Sequence, residues 1–216
     1  MIAVGYADRS NAALRSSLAG LVVVLDVQHL YQPAKPRDRG ALFTLLDGSH
    51  VYETQASTAY AAHAGAWLAS RGARVITNDP AHGILVGPYW TRNRAAAAAG
   101  AHAYLACHVN AGGGDYFLAE YMLGTNGAAL GTAIGSTVRT AFPVIHGAKL
   151  NPLQRGQRGA VCIEAVDAKV AAIVLEPFFG DRALHEDIFD PESLARLGTA
   201  IGEGVAAWWM GIRPAA

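Results

Sequence analysis

Two histidines and two glutamates in this sequence could together form a catalytic metal site. They are His29, Glu53, His108 and Glu176, and they lie far apart along the chain. Two imidazoles and one carboxylate that leave a fourth position open are the ligand set of a catalytic zinc site. A further glutamate beside such a site can serve as the general base for a water molecule that attacks a carbonyl carbon. The chemistry that these residue types predict is metal-assisted hydrolysis.

The elements that must position these residues follow from an alternation of short, β-branched runs with longer, Ala-rich stretches. Strands are predicted at 21–27, 73–77, 103–107, 115–123, 160–165 and 171–175, and helices at 53–70, 89–99, 128–141 and 191–209. Asp190, Pro191 and Glu192 mark the start of the last helix. Strands that alternate with helices predict an α/β fold, a three-layer sandwich with a mostly parallel central sheet flanked by helices.

The strand ends place the four residues at one edge of that sheet. His29 follows the first predicted strand, His108 directly follows the third, and Glu176 directly follows the last. Glu53 begins the helix after the first strand, and such a helix starts at the same edge. Because ligands of open α/β sheets bind at the carboxyl ends of the strands, we expect these side chains to converge.

A reading without a metal accounts for part of the same pattern. His29 and His108 would then cap strand ends by bonding the backbone, and Glu53 would be a favourable acid in a first helical turn. Glu176 fits this reading poorly, because it lies between an apolar strand and the segment 177–179 (PFF), where an ionised carboxylate needs a partner or a cation.

The other six histidines are weaker candidates. His102 precedes the third strand and should lie at the opposite edge, and His63 lies ten residues into its helix, away from the edge. The rest lie in predicted loops and remain alternative ligands: His50, His82, His146 and His185.

Signals for nucleophilic or phosphate chemistry are weak. Cys107 and His108 are adjacent, so their side chains point to opposite faces of a strand and cannot pair, and Cys107 is expected to be a small core residue. The sequence has no G-x-S-x-G motif. The glycines 112–114 are not followed by Lys-Ser/Thr, so we expect a flexible turn rather than a phosphate loop.

The composition excludes several function classes. The 216 residues are 52% hydrophobic and 16% charged, and 17 basic residues balance 17 acidic ones. Neutrality argues against a nucleic-acid partner, and no apolar run approaches the roughly 18 residues of a membrane helix. Two cysteines, Cys107 and Cys162, do not make a disulfide framework. We expect a monomer with one catalytic domain at 21–216 and an N-terminal extension at 1–20 that could pack on it.

Four segments, in this order, resemble the zinc-dependent N-acetylmuramoyl-L-alanine amidases of the amidase-3 type, found among bacterial autolysins and phage endolysins. The segment 22–29 (VVVLDVQH) resembles the opening histidine motif of that family, and Glu53 matches its glutamate ligand. The segment 106–111 (ACHVNA) resembles the second histidine motif, and 174–179 (VLEPFF) resembles the catalytic glutamate motif. The resemblance covers most of the chain from residue 21 onward.

The resemblance implies one Zn²⁺ held by His29, Glu53 and His108, with Glu176 as the catalytic base. The substrate implied is peptidoglycan, cleaved between N-acetylmuramic acid and L-alanine. Candidate substrate-binding residues are Asn110, which could also simply build the turn, and Arg155 and Arg158, which could meet stem-peptide carboxylates or form a solvated basic loop.

The chain departs from the family's pattern at two places. Gln28 and the pair Leu30-Tyr31 stand where the family usually has glycines, and Thr77-Asn78 replaces a Thr-Arg pair. These changes leave the expected ligands intact, but we expect them to alter the substrate groove and the stem peptides that fit it.

Two other functions are compatible with the same residues: a non-hydrolytic peptidoglycan-binding module, and a zinc peptidase that cuts within the stem peptide.

The first twenty residues, which include Asp8 and Arg9, lack the apolar block of a secretory signal. This fits a phage or prophage lysin released from the host cytoplasm by a membrane-permeabilising partner. It also fits an enzyme of the periplasm or exterior whose leader is not in this sequence.

Overall fold

The computed structural model describes residues 17–30, 37–78 and 86–212. Its strands are β1 Val22–Val27, β2 Leu42–Thr44, β3 His50–Tyr52, β4 Arg74–Thr77, β5 Ala103–Cys107, β6 Tyr116–Met122, β7 Gly147–Leu153 and β8 Ala171–Glu176. Its α-helices are α1 Glu53–Ala69, α2 Tyr89–Ala98, α3 Gly127–Ala141 and α4 Pro191–Ile212. Two 3-10 helices span Ala160–Cys162 and Ala183–Phe189. The four α-helices confirm the helices predicted from the sequence to within three residues at each end.

Six strands form one sheet in the order β4-β1-β5-β8-β6-β7. The first four are parallel to one another, β6 is antiparallel to β8, and β7 is parallel to β6. Val27 of β1 pairs with Cys107 of β5, which in turn pairs with Leu175 of β8. The carboxyl ends of these three strands are therefore level, and the residues that follow them leave the sheet along one edge.

The sheet lies between two hydrophobic cores, because nearly every side chain of its central strands is apolar on both faces. On β1, Val23, Leu25 and Val27 face a core shared with α1, α3 and α4. Val24 faces the opposite core, shared with α2 and the first 3-10 helix. This arrangement confirms the predicted three-layer α/β sandwich. None of the helices within the described ranges combines the length and the apolar composition of a membrane span.

The strand predicted at 160–165 is wrong. Ala160–Cys162 is a 3-10 helix followed by turns. The N–H groups of Cys162 and Ile163 bond to carbonyls three residues earlier, at 3.0 and 2.9 Å, and not to a neighbouring strand. Gly159, with a φ of 88°, starts this turn. A short buried apolar run does not distinguish a strand from a helical turn, and here the run covers the face of the sheet instead of extending it.

Two parts of the architecture have no counterpart among the predicted elements. The strand β7 carries Lys149, Asn151 and Pro152, which are unusual in a buried strand but acceptable at an edge, where β7 pairs only with β6. The hairpin of β2 and β3 consists of two strands of three residues each.

Of the N-terminal extension predicted at 1–20, residues 1–16 lie outside the described residues. Within the described part, Leu18 is buried in the same core as Leu21.

Candidate metal centre

His29 lies two residues beyond β1, in a turn at the edge of the sheet. Its φ of 64° makes it the single non-glycine residue in the described ranges with a positive φ. This conformation is uncommon for a side-chain-bearing residue, and such strain concentrates at functional sites. The ring nitrogen Nε2 lies 3.6 Å from Oε1 of Glu53, and Nδ1 lies 3.1 Å from the carboxylate of Asp38.

Glu53 is held at the start of α1 by backbone groups on both of its oxygens. The N–H of Ala41 donates to Oε2 at 2.9 Å, and the N–H of Val109 donates to Oε1 at 3.2 Å. Gly40 lies directly against the carboxylate: a Cβ there would be 2.3 Å from Oε2, and its φ of 71° also favours glycine. The loop before β2 is thus shaped around this side chain.

His108 follows β5 and is fixed through its own backbone. The hydroxyl of Tyr60, a buried residue of α1, donates to the His108 carbonyl at 2.8 Å. The ring nitrogen Nδ1 lies 2.7 Å from Oε1 of Glu53. The rings of His29 and His108 are nearly perpendicular, with centroids 5.1 Å apart. Both imidazoles therefore direct a nitrogen to the same carboxylate oxygen.

These three residues form a group that could hold a metal ion. Their ligand atoms all lie within 4.8 Å of one another, and no other group of three such residues occurs within 17–30, 37–78 and 86–212. Burial alone would raise the pKa of Glu53, but the contacts with His108, the Ala41 N–H and the nearby His29 outweigh it and lower the pKa. The carboxylate is therefore ionised, as a metal ligand must be.

Glu176 ends β8 and lines the same cavity as this group. Burial, together with the negative charges of Glu120 and Glu53, raises the pKa of Glu176 from 4.5 to about 8, against the opposing effect of Arg158. A carboxyl group with a pKa near neutrality can both accept and release a proton at physiological pH. Glu176 therefore has the environment of an acid–base catalyst.

The cavity has a volume of about 750 Å³ and opens over the metal group. Asn110 and Arg158 line it, while Arg155 lies on the exposed loop and does not. The side-chain oxygen of Asn110 accepts the N–H of Ala111 at 2.7 Å, and its backbone bonds to residues 178 and 180. Asn110 thus supports the loop as well as lining the cavity. The structure brings together the four residues from which the metal site was predicted.

Three residues of the site were missed by the sequence reasoning: Asp38, Glu120 and Cys162. Glu120 projects from β6 into the cavity, and its Oε1 accepts the side-chain N–H of Asn151 at 2.7 Å. The sulfur of Cys162 lies 3.8 Å from Nε2 of His108. Only Glu120 carried a local signal, as a charged residue at alternate spacing in a half-buried strand.

A buried polar network lies beneath the end of β1 and consists of Asp26, Gln28, Asn78, Arg92 and Tyr104. Two of its members, Gln28 and Asn78, are positions at which the chain departs from the family's pattern. Arg92 contacts Asp26 at 2.5 Å, and Tyr104 donates to the same carboxylate. Asn78 accepts the N–H of Val27 at 2.9 Å and donates to its carbonyl at 2.6 Å. Gln28 donates to Asp26 at 2.6 Å.

The network fixes the strand end that carries His29, and neither Gln28 nor Asn78 lines the cavity. Leu30 packs against the core, and Tyr31 lies outside the described residues.

The remaining histidines lie elsewhere. His102 is at the opposite edge, as predicted, where its Nδ1 accepts the N–H of Val22 at 3.1 Å. His50 and His146 are exposed and contact Thr44 and Asp115. His63 is exposed on α1, and His82 lies outside the described residues. His185 is fully buried, and this burial lowers its pKa.

Cys107 is buried in the core, as predicted. The glycines of 112–114 form a turn in which Gly112 and Gly113 donate to Asp181.

Comparison with known proteins gives similarity in structure but not in sequence. No protein-family model matches the chain. No curated protein matches it in sequence.

Among solved structures, N-acetylmuramoyl-L-alanine amidase AmiC2 of Nostoc punctiforme superposes with a TM-score of 0.68 at 19% identity, covering 89% of this chain and 99% of that one. Cwp6 from Clostridium difficile gives 0.70 at 20% identity and covers 87% of this chain, which spans only 29% of Cwp6. The catalytic domain of the CD27L endolysin targeting Clostridia difficile gives 0.52 at 19%, covering 86% and 96%. The chain therefore has the fold of N-acetylmuramoyl-L-alanine amidases.

Proposed function

We propose that the chain is a zinc-dependent N-acetylmuramoyl-L-alanine amidase that cleaves the amide between N-acetylmuramic acid and the L-alanine of the peptidoglycan stem. One observation carries the proposal. The ligand atoms of His29, Glu53 and His108 lie within 4.8 Å of one another, and Glu176 lines the same cavity. The fold shared with AmiC2 supports peptidoglycan as the substrate class.

The residues present fit a zinc ion. Two imidazole nitrogens and one carboxylate oxygen are the protein ligands of a catalytic zinc site. The carboxylate of Asp38 also lies 3.1 Å from the outer nitrogen of His29. A neighbour at that nitrogen can orient a histidine ligand. When bound, one zinc per chain would polarise the scissile carbonyl and promote ionisation of a water molecule.

Glu176 would act on the proton of the attacking water. Its pKa of about 8 without a metal keeps much of this carboxyl protonated at neutral pH, and positive charge entering the cavity would favour the ionised form. Ionised Glu176 would accept a proton from water as the carbonyl is attacked. It would then deliver that proton to the leaving amine of L-alanine, so that the departing group is neutral.

Substrate contacts are proposed for residues around the cavity. Arg158 lines it and could meet a carboxylate of the stem peptide through charge-assisted bonds. Asn110 would hold the loop beside His108 and contact the substrate amide. For Arg155, which is exposed on the same loop as Arg158, we propose a contact with a more distant part of the stem.

Mass spectrometry of the products tests the reaction. Peptidoglycan digested by the amidase should release stem peptides with a free N-terminal L-alanine, and a chelator should stop the release until zinc is restored. Stems cut internally would instead assign a peptidase. Binding to the wall without any soluble fragment would assign a non-hydrolytic binding module.

Substitution of Glu176 tests the assignment of the base. Glu176→Gln keeps the side chain's size but removes the proton acceptor, so we expect wall-lytic activity to fall at least ~100-fold. Glu203→Gln, at an exposed position of α4, is the matched control and should leave activity unchanged. Lysis by Glu176→Gln at the rate of the control would disprove the role of Glu176.

We also propose that the chain works as a phage or prophage lysin. The similarity in fold to the CD27L endolysin supports this role. Expression inside a susceptible host should cause little lysis until a membrane-permeabilising protein is co-expressed. Rapid lysis by the chain alone would contradict this route to the wall.

A further inference from the structure

Cys162 lies at the cavity wall in a place that the proposed reaction does not use. It ends the 3-10 helix Ala160–Cys162, it is 6% exposed, and its sulfur lies 3.8 Å from Nε2 of His108. Cys162 is not a member of the metal-ligating group, since that group contains His29, Glu53 and His108 alone. The thiol therefore contacts the outer nitrogen of a ligand rather than the place of the metal.

The two nitrogens of His108 face different partners. Nδ1 is directed at Glu53, 2.7 Å away, and is the nitrogen placed to bind a metal, which leaves Nε2 to carry the ring proton. His29 has the same division, with Nε2 towards Glu53 and Nδ1 at 3.1 Å from Asp38. Each imidazole thus has Glu53 near one nitrogen and a second side chain near the other, the carboxylate of Asp38 for His29 and the sulfur of Cys162 for His108.

The backbone that carries the sulfur is held by its own surroundings. The buried side chain of Asn93, on α2, donates to the Cys162 carbonyl at 2.8 Å and to the Tyr104 hydroxyl at 2.9 Å. The Cys162 N–H bonds to the Gly159 carbonyl at 3.0 Å. The backbone of Cys162 is held at both its N–H and its carbonyl, so the thiol is presented to His108 by a constrained turn.

From this geometry we infer that Cys162 is a positioning residue: its sulfur accepts the Nε2–H of His108 and holds the imidazole with Nδ1 turned towards the metal. The inference rests on the proposed function, because it assumes that His108 is a metal ligand. Outer partners of histidine ligands typically change metal affinity 10- to 100-fold when removed. Since sulfur is a weak acceptor, we expect an effect near the lower limit.

Zinc affinity, measured by competition with a chelating indicator, tests the inference without an activity assay. Cys162→Ala should weaken zinc binding about 10-fold. Cys107→Ala, which removes the other buried thiol on the far side of β5, should bind zinc within ~2-fold of the wild type. Wild-type affinity in Cys162→Ala, or equal weakening in both variants, would overturn the inference. A wild-type chain that binds no zinc would instead refute the proposed function, and the inference with it.

A second measurement uses the unmodified protein and so does not depend on how a variant folds. In the zinc-loaded wild type, long-range ¹H–¹⁵N spectra should show His108 protonated at Nε2. That proton should exchange slowly with water, because it is covered by the buried sulfur. A proton on Nδ1, or an Nε2 proton that exchanges as fast as that of exposed His63, would overturn the inference.

Discussion

The pKa of Glu176 makes the stability of the metal-free protein depend on pH in a defined direction. Its rise from 4.5 to about 8 means that the folded chain keeps a proton that the unfolded chain has released. The contribution of protonated Glu176 to the free energy of unfolding is therefore fully present below pH 4.5, and it is lost as pH rises towards 8. At about 1.4 kcal/mol per pKa unit the full shift would be on the order of 5 kcal/mol. Because Glu176 is partly exposed, we expect about 2–4 kcal/mol.

Glu176→Gln cannot ionise and should keep the stability that the wild type loses. In urea denaturation with chelator present, the two proteins should have similar free energies of unfolding near pH 4.5. Near pH 9 the variant should be more stable by about 2–4 kcal/mol. Glu203→Gln should follow the wild type at every pH, since its side chain is exposed. If Glu176→Gln loses stability in parallel with the wild type across this range, the assigned environment of Glu176 is wrong.

Two further predictions concern how the centre is held. Arg92→Met leaves the buried Asp26 carboxylate without its cationic partner and should lower the free energy of unfolding by about 3–5 kcal/mol in chemical denaturation. Adding Asp26→Asn to that variant should recover part of the loss, and a double variant less stable than Arg92→Met would contradict the pairing. Gly40→Ala would place a Cβ 2.3 Å from the carboxylate of Glu53 and should weaken zinc binding at least ~10-fold in chelator competition. Gly48→Ala, at a similar φ of 82° with nothing within 4 Å, is its control, and equal affinities in the two variants would disprove the role of the close contact.

The ligand group could be predicted from the sequence because parallel strands end at a common edge. Val27, Cys107 and Leu175 are level in the sheet, so the residues that follow β1 and β5 leave it together, beside Glu176 at the end of β8. Glu53 joins them because α1 begins where the chain returns to that edge. Local patterns of apolar residues were sufficient to place these four residues at one edge, but they left the loop histidines as alternative ligands.

The rest of the site depends on contacts that no local pattern contains. Glu120 reaches the cavity because β6 runs antiparallel beside β8, although β6 follows β5 in the chain. Cys162 reaches His108 because a run predicted as a strand folds as a 3-10 helix over the sheet. Asp38 reaches His29 from a position two residues before Gly40, which lies against the carboxylate of Glu53. Each of these positions follows from long-range packing.

The proposed function requires that His29, Glu53 and His108 hold one divalent ion. Crystals of the chain grown with zinc, measured on both sides of the zinc absorption edge, test it directly. We expect a single strong anomalous peak within bonding distance of His29 Nε2, a Glu53 carboxylate oxygen and His108 Nδ1. A peak on other residues, or none in a chain that is otherwise well ordered, would contradict it.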